Sequence, residues 1–294
     1  MKRRNPIDWP ALLMVLPFVL ILITLVVVPV AIAIGNSFTN MKFIGMPAEF
    51  AGFRQYRRVL TDPLFWNSLG RSGQWILGNA LLQTIVAFLF ALLLSRRAKN
   101  LGLQLAVLLP WIIPTVAVAV IGTWLTNSSY GLLPYVTNLL GIANESWNAF
   151  GSADRAMGSL IILNSWHWFP FFFVVILGAL TTVPDELYEA AAIDGANAWH
   201  KFSRITLPLI SRILGIVGLV GTLWSFNIYD TIFLVTQGGP ANATFTAPMY
   251  VYETAFNAFN MAKSSAASVI LMVFMMLFAV FFYNVAVRKA YHAR

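Results

Sequence analysis

The chain has 294 residues, 59% hydrophobic and only 10% charged, with a net charge of +8 and a mean hydropathy of +0.74. A soluble domain carries about 25% charged residues and needs them for its surface, so this composition excludes an ordinary soluble enzyme and points to a protein whose outer surface is lipid. The absence of cysteine excludes disulfides, thiolate catalysis and Cys-based metal sites, and three scattered histidines offer no metal-ligand spacing.

The N-terminus opens with Lys2, Arg3 and Arg4 and then an apolar run over 11–34. That run is longer than the h-region of a signal peptide, which spans about 7–15 residues, and no short core is followed by a small-x-small cleavage site. It reads as a retained first span. Further apolar stretches follow at 72–94, 104–125, 159–182, 210–235 and 267–287. Each is close to the roughly 20 helical residues that cross a bilayer core. No stretch alternates polar and apolar residues for long, which argues against a β-barrel. The fold class expected is therefore an all-α membrane protein with six transmembrane helices in one domain over 1–294.

Pro17, Pro29, Pro110, Pro114 and Pro170 lie within or near these spans. In a soluble helix an interior proline costs about 3 kcal/mol. Membrane helices tolerate it when neighbours satisfy the freed carbonyls, so kinks are expected at these points, or a gate or cavity lining. The first loop, 35–71, contains FAGFRQYRRVL, which suits a surface amphipathic helix. The second long loop, 126–158, holds YGLLPYVTNLLGI, which suits a short helix near the interface.

Basic residues cluster at the ends of apolar runs: Arg96, Arg97 and Lys99; Lys201, Arg204 and Arg212; Arg288, Lys289 and Arg294. With a cytoplasmic N-terminus, the tails and the loops after spans two and four hold twelve Lys and Arg residues, against seven on the other side. The positive-inside rule favours that orientation, with both termini cytoplasmic. A nucleic-acid groove would need a continuous basic stripe instead, so no nucleic-acid partner is expected.

The loop between spans four and five, 184–208, reads as two short helices. Pro184 suits a first helical position. Asp185 and Glu186 follow in the first turn, where carboxylates favour the positive helix end. Leu187, Ala190, Ala191 and Ile193 make a compact apolar surface, and Gly195 ends or bends the helix. Residues 196–205 can resume helix, with Pro208 reshaping the start of span five. Spacing alone leaves open whether this pair packs only on its own bundle or docks on a partner.

The same loop resembles the signature of permease subunits of binding-protein-dependent ABC importers. Their pattern is EAA, three residues, Gly, nine residues and Ile-x-Leu-Pro. Here Glu189, Ala190, Ala191, Gly195, Ile205, Leu207 and Pro208 occupy it. A second stretch, FLVTQGGPANATFTAPMYVYETAF, is similar to the Leu-x-Thr-x-Gly-Gly-Pro element of sugar-type permeases, with Leu234, Thr236, Gly238, Gly239 and Pro240, then Tyr252, Ala255 and Phe256. The chain thus resembles a MalF/UgpA-like sugar permease subunit. It lacks the large inserted domain that some maltose permeases carry in the first outer loop.

The resemblance implies a type I ABC importer permease (MetI-like) bundle in a prokaryotic cell membrane. Glu189, Ala190, Ala191 and Gly195 would form a coupling helix docked on a cytoplasmic ATPase dimer, with Ile205, Leu207 and Pro208 bracing it to span five. It also implies a second permease subunit, an extracytoplasmic solute-binding protein and a carbohydrate substrate. No GxxxxGK[ST] phosphate loop occurs in the sequence, so ATP and Mg would belong to the partner ATPase, and no cofactor is expected in this chain.

Polar and aromatic residues inside spans mark candidate solute contacts. Asn164, Trp168 and Phe171 recur at helical spacing on one face of span four. An aromatic platform with an amide suits a sugar, and helix packing around one buried amide is the competing reading. Trp224, Ser225, Asn227 and Ile228 in span five lie near positions that contact sugar in the family, and Asp230 follows. His167 reads as a packed or hydrogen-bonded helix-interface residue. No basic cluster inside a span calls for a phosphate ligand, which favours a neutral solute. An ion-driven secondary carrier with Asp230 as its cation site is the alternative, and it would have no use for the signature loop. A membrane enzyme finds no defensible set of acid, base and nucleophile.

Overall fold

The computed structural model describes residues 9–43, 45–95, 101–141 and 148–288. They form α1 (Trp9–Leu22), α2 (Val28–Ser37), α3 (Arg54–Leu60), α4 (Pro63–Ser95), α5 (Leu101–Ile112), α6 (Thr115–Leu125), α7 (Leu132–Leu139), α8 (Ala153–Thr181), α9 (Asp185–Ile193), α10 (Ala198–Lys201), α11 (Leu207–Asn227), α12 (Asp230–Thr236), α13 (Ala247–Tyr252) and α14 (Met261–Phe282). Among the described residues the only β-pairing is an isolated bridge between Thr39 and Phe50. Five helical stretches are long and apolar enough to cross a membrane: Leu13–Ser37, Pro63–Ser95, Ala153–Thr181, Ala198–Asn227 and Met261–Val285. The pair α5 and α6 makes a sixth if taken as one span. The basic clusters at 2–4, 96–99 and 289–294 lie outside the described residues.

Two compact units divide the chain, one comprising residues 1–62 and 251–273, the other 63–250 and 274–294. In the first, a π-helical turn at Ile23–Val27 joins α1 to α2, and Pro29 sits in the first turn of α2. The expected amphipathic helix is α3. It buries Gln55 and Val59, donates from Gln55 Nε2 to the Thr39 carbonyl at 3.1 Å, and sets Tyr56 Oη 2.7 Å from Ser37 Oγ. Lys263 Nζ closes this unit with an ion pair to Asp62 at 2.7 Å.

The second unit is built on α4 and α8, which pack along one another, with α11 against both and α5 against α8. Its core gathers Ala87, Ala91, Phe172, Phe173, Ile176, Ala179, Ile210 and Val217. Small residues on α4 let the helices approach, and the phenylalanines of α8 fill the space between them. With no hydrophobic drive between helices in lipid, such close packing is what holds them together.

Two of the expected spans contain breaks. The stretch 104–125 is not one helix: α5 and α6 meet at a bend of 91°. Pro114 is the cause, since it cannot donate to the preceding turn and pushes Ile113 out of helical geometry. Pro17, Pro110 and Pro170 stay inside their helices. The stretch 210–235 also breaks, because α11 stops at Asn227 and Ile228 is extended, with φ −68° and ψ 112°. The expected short helix of the second long loop is α7.

Candidate functional site

The 184–208 loop folds as its residue types dictate. Pro184 is the residue before the first helical turn rather than within it, with ψ 134°. Asp185 and Glu186 then open α9, which closes in a left-handed turn at Gly195, φ +75°. Ala196 N donates to the Ala191 carbonyl at 2.8 Å and Gly195 N to the Ala192 carbonyl at 3.1 Å. This pair of bonds is a Schellman cap. Asn197 Oδ1 accepts from His200 N at 2.9 Å and starts the next helix. A π-helical turn at Phe202–Thr206 leads into α11 and places Pro208 in its first turn. The widened turn accommodates a residue that has no N–H to offer.

One side of α9 is anchored. Tyr188 Oη lies 2.8 Å from Thr206 Oγ1, and Tyr188 and Ile205 pack on the bundle core. The other side is open: Glu189, Ala190, Ala192 and Ile193 are exposed, Ile193 to 88%. Ala191 is half-buried, while Leu207 and Pro208 are exposed at the start of α11. The tie to α11 thus runs through Tyr188, Thr206 and Ile205. Tyr188 and Thr206 carry no motif signal and were not legible as partners, because they are 18 residues apart.

At the far end of α11 the helix break opens a cavity of about 420 Å³ lined by Gln83, Trp168, Phe172, Gly221, Trp224, Ser225, Asn227, Ile228, Tyr229 and Asp230. Six of the eight candidate solute contacts converge here, from α8, α11 and the break. Trp168 and Trp224 stand 5.8 Å apart, inclined at 60°. Gly221 forms part of the wall because any side chain there would meet the Phe172 ring, 2.6 Å from a Cβ. Asp230 Oδ1 accepts from Thr231 N at 2.9 Å, which starts α12.

The other two candidates do not line the cavity. Phe171 stands behind it, 5.0 Å from the Trp224 ring. Asn164 is fully buried and donates to Asn79 Oδ1 of α4 at 2.7 Å. The same oxygen accepts from Gln83 Nε2 at 3.1 Å and Ser165 Oγ at 3.2 Å. Asn79 Nδ2 donates to the Trp75 carbonyl, and Trp75 Nε1 donates to the Ser225 carbonyl at 2.9 Å. This network joins α4, α8 and α11 directly behind the cavity wall and presents Gln83 to it. Asn79 and Gln83 were missed, although two amides inside an apolar run are a signal in their own right.

His167 Nε2 donates to the carbonyl of Ile113 at 3.0 Å. That carbonyl is one freed by the α5–α6 break, so the histidine supplies the bond that the helix cannot. The residue after it, Trp168, is the cavity platform. Beyond the break, α12 ends in a loop held by left-handed Gln237 and Gly238 and a cis Gly239–Pro240 bond. Thr244 Oγ1 bonds the Gly239 carbonyl and meets Thr236 Oγ1, each at 2.8 Å. The Leu-x-Thr-x-Gly-Gly-Pro residues Thr236, Gly238, Gly239 and Pro240 therefore shape this cap. Among the described residues no cluster of His, Cys, Asp or Glu could hold a metal ion.

Residues 83–290 match the family described as binding-protein-dependent transport system inner membrane component. The chain is 31% identical to the trehalose/maltose transport system permease protein MalF of Thermococcus litoralis, over 93% of this chain and 92% of that one. It is 30% identical to the sulfoquinovosyl glycerol transport system permease protein SmoG of Agrobacterium fabrum, over 89% and 85%. A chain of a bacterial ABC transporter involved in import of the acidic polysaccharide alginate superimposes with a TM-score of 0.82, at 20% identity and 96% coverage of both chains. That likeness is one of fold.

Proposed function

The chain belongs to the family of binding-protein-dependent transport system inner membrane components, and from that premise we propose that it forms, with a second permease subunit, the carbohydrate path of an ATP-driven importer. As a family member it is a multi-pass inner-membrane permease component and works with a solute-binding protein. The carbohydrate assignment is supported by the solutes named for its relatives. The observation that carries it is the cavity at the end of α11, which two tryptophan rings line together with amide and carboxylate groups. Sugars offer apolar C–H faces and hydroxyl edges to such a surface.

ATP and Mg are assigned to a partner ATPase dimer, with α9 as its docking helix. In this reading the 184–208 loop and both termini face the cytoplasm, in keeping with the distribution of Lys and Arg. An apolar, exposed surface on a helix between spans calls for a partner, and the alanines let a second backbone come close. Glu189 adds a carboxylate for charge-assisted bonds to a basic partner. Residues Ala198–Asn227 form one helical stretch from this loop to the cavity, about 45 Å at 1.5 Å per residue. Movement of α9, transmitted through Tyr188 and Thr206, would tilt that lever and change the cavity at its far end.

The absence of cysteine makes a direct test clean. An Ile193→Cys variant, co-expressed with the ATPase carrying single cysteines around its membrane-facing cleft, is expected to give a disulfide-linked pair under mild oxidation. A cysteine in the bundle core, at Ile176 of α8, should give none. Equal cross-linking of both, or of neither, would remove α9 as the dock.

A further inference from the structure

We propose that the cavity at the α11–α12 break accepts neutral glycans and rejects anionic ones, and that Asp230 sets this preference. The inference rests on the carbohydrate reading above and names the solute class within it.

Among the described residues Asp230 is the one acidic side chain lining the cavity, and none of those lining residues is basic. Its Oδ1 is engaged by Thr231 N at 2.9 Å, while Oδ2 carries no hydrogen bond among the described residues. The carboxylate is thus held in place by its own helix start with an acceptor left for a sugar hydroxyl. His167, next to Trp168 on α8, is not among the lining residues: it is 3% exposed and donates to the Ile113 carbonyl. The remaining polar groups, Gln83, Ser225 and Asn227, are neutral, and Trp168 and Trp224 add aromatic surface with no positive charge.

A neutral hydroxyl donating to a carboxylate makes a strong charge-assisted bond. A uronate or sulfonate at the same place meets a like charge with no cation to offset it. In a cavity of low effective dielectric, like charges several ångströms apart repel enough to change affinity by roughly tenfold or more. No lining group other than Asp230 contributes a term of that sign and size.

The test uses the chain assembled in nanodiscs with its second permease and ATPase. Matched pairs of radiolabelled probes are titrated: maltose and trehalose, each against its C6-oxidised uronate. The neutral member of a pair is expected to bind at least about tenfold more tightly in the wild type. Asp230→Asn keeps the acceptor for Thr231 N, and it should bring the neutral-to-uronate ratio within about threefold. Asp230→Glu should preserve the discrimination. Equal or tighter uronate binding by the wild type, or a ratio unmoved by Asp230→Asn, would overturn the charge preference and leave the carbohydrate reading standing. Binding of no member of any pair would overturn both.

Discussion

Replacing Gly195 with valine is expected to lower ATP-driven uptake at least about tenfold while the protein still inserts in the membrane. The position holds φ +75°, and nothing lies within 4 Å of where a Cβ would stand. The effect would therefore come from the backbone rather than from a clash. A residue with a Cβ pays about 1–2 kcal/mol in the left-handed region, and a β-branched one fares worst there. To relieve that strain the chain must abandon the cap formed by Ala196 N and Gly195 N on the carbonyls of Ala191 and Ala192. That cap is the turn that separates α9 from the helix leading into α11. Without it, movement of α9 no longer reaches Thr206 in register. Gly195→Asn should lose much less, since asparagine tolerates positive φ. The measurement is solute uptake in right-side-out or reconstituted vesicles alongside membrane content. Wild-type uptake by the valine variant would show that the turn at Gly195 is not part of the coupling.

The second large effect is expected at Trp224. This ring is 48% exposed, faces Trp168 at 5.8 Å and rests on Phe171 at 5.0 Å. It is a platform open to the cavity rather than part of the closed core, so Trp224→Ala should cost little in folding. Each aromatic contact contributes about 0.5–1.5 kcal/mol beyond the area it covers, so loss of the platform should weaken carbohydrate handling roughly tenfold. Trp224→Phe, which keeps a flat face, should recover much of it. Unchanged carbohydrate-stimulated turnover in the alanine variant would place the solute path elsewhere.

The membrane character and the helical loop at 184–208 were legible from composition and capping residues, and most of the cavity residues from polar and aromatic residues inside spans together with the resemblance to sugar-type permeases. What escaped has a common origin: a helical period gives a face but neither its depth nor its neighbour. Asn164, Trp168 and Phe171 do share a stripe of α8, yet α4 covers the first with Asn79, the cavity takes the second, and Trp224 covers the third. Five prolines looked alike in the sequence, but Pro114 alone coincides with a right-angled bend, because His167 stands ready to satisfy the carbonyl released there. The stop at Asn227 was hidden by the apolar residues that continue beyond it. There the Asn227 side chain donates to the Leu223 carbonyl and Asp230 accepts from Thr231 N, local side-chain bonds that compete with the helix. Tyr188 and Thr206 meet only because a glycine turn and a π-helical turn bring them together, and neither geometry is visible in spacing.

The most direct measurement is ATP hydrolysis and labelled-solute uptake by the chain assembled in nanodiscs and vesicles with its second permease, ATPase and binding protein. ATPase activity is expected to rise when the carbohydrate-loaded binding protein is added, and uptake to require ATP. Solute movement by this chain alone, driven by an ion gradient and indifferent to ATP, would contradict the importer assignment and make the protein a secondary carrier.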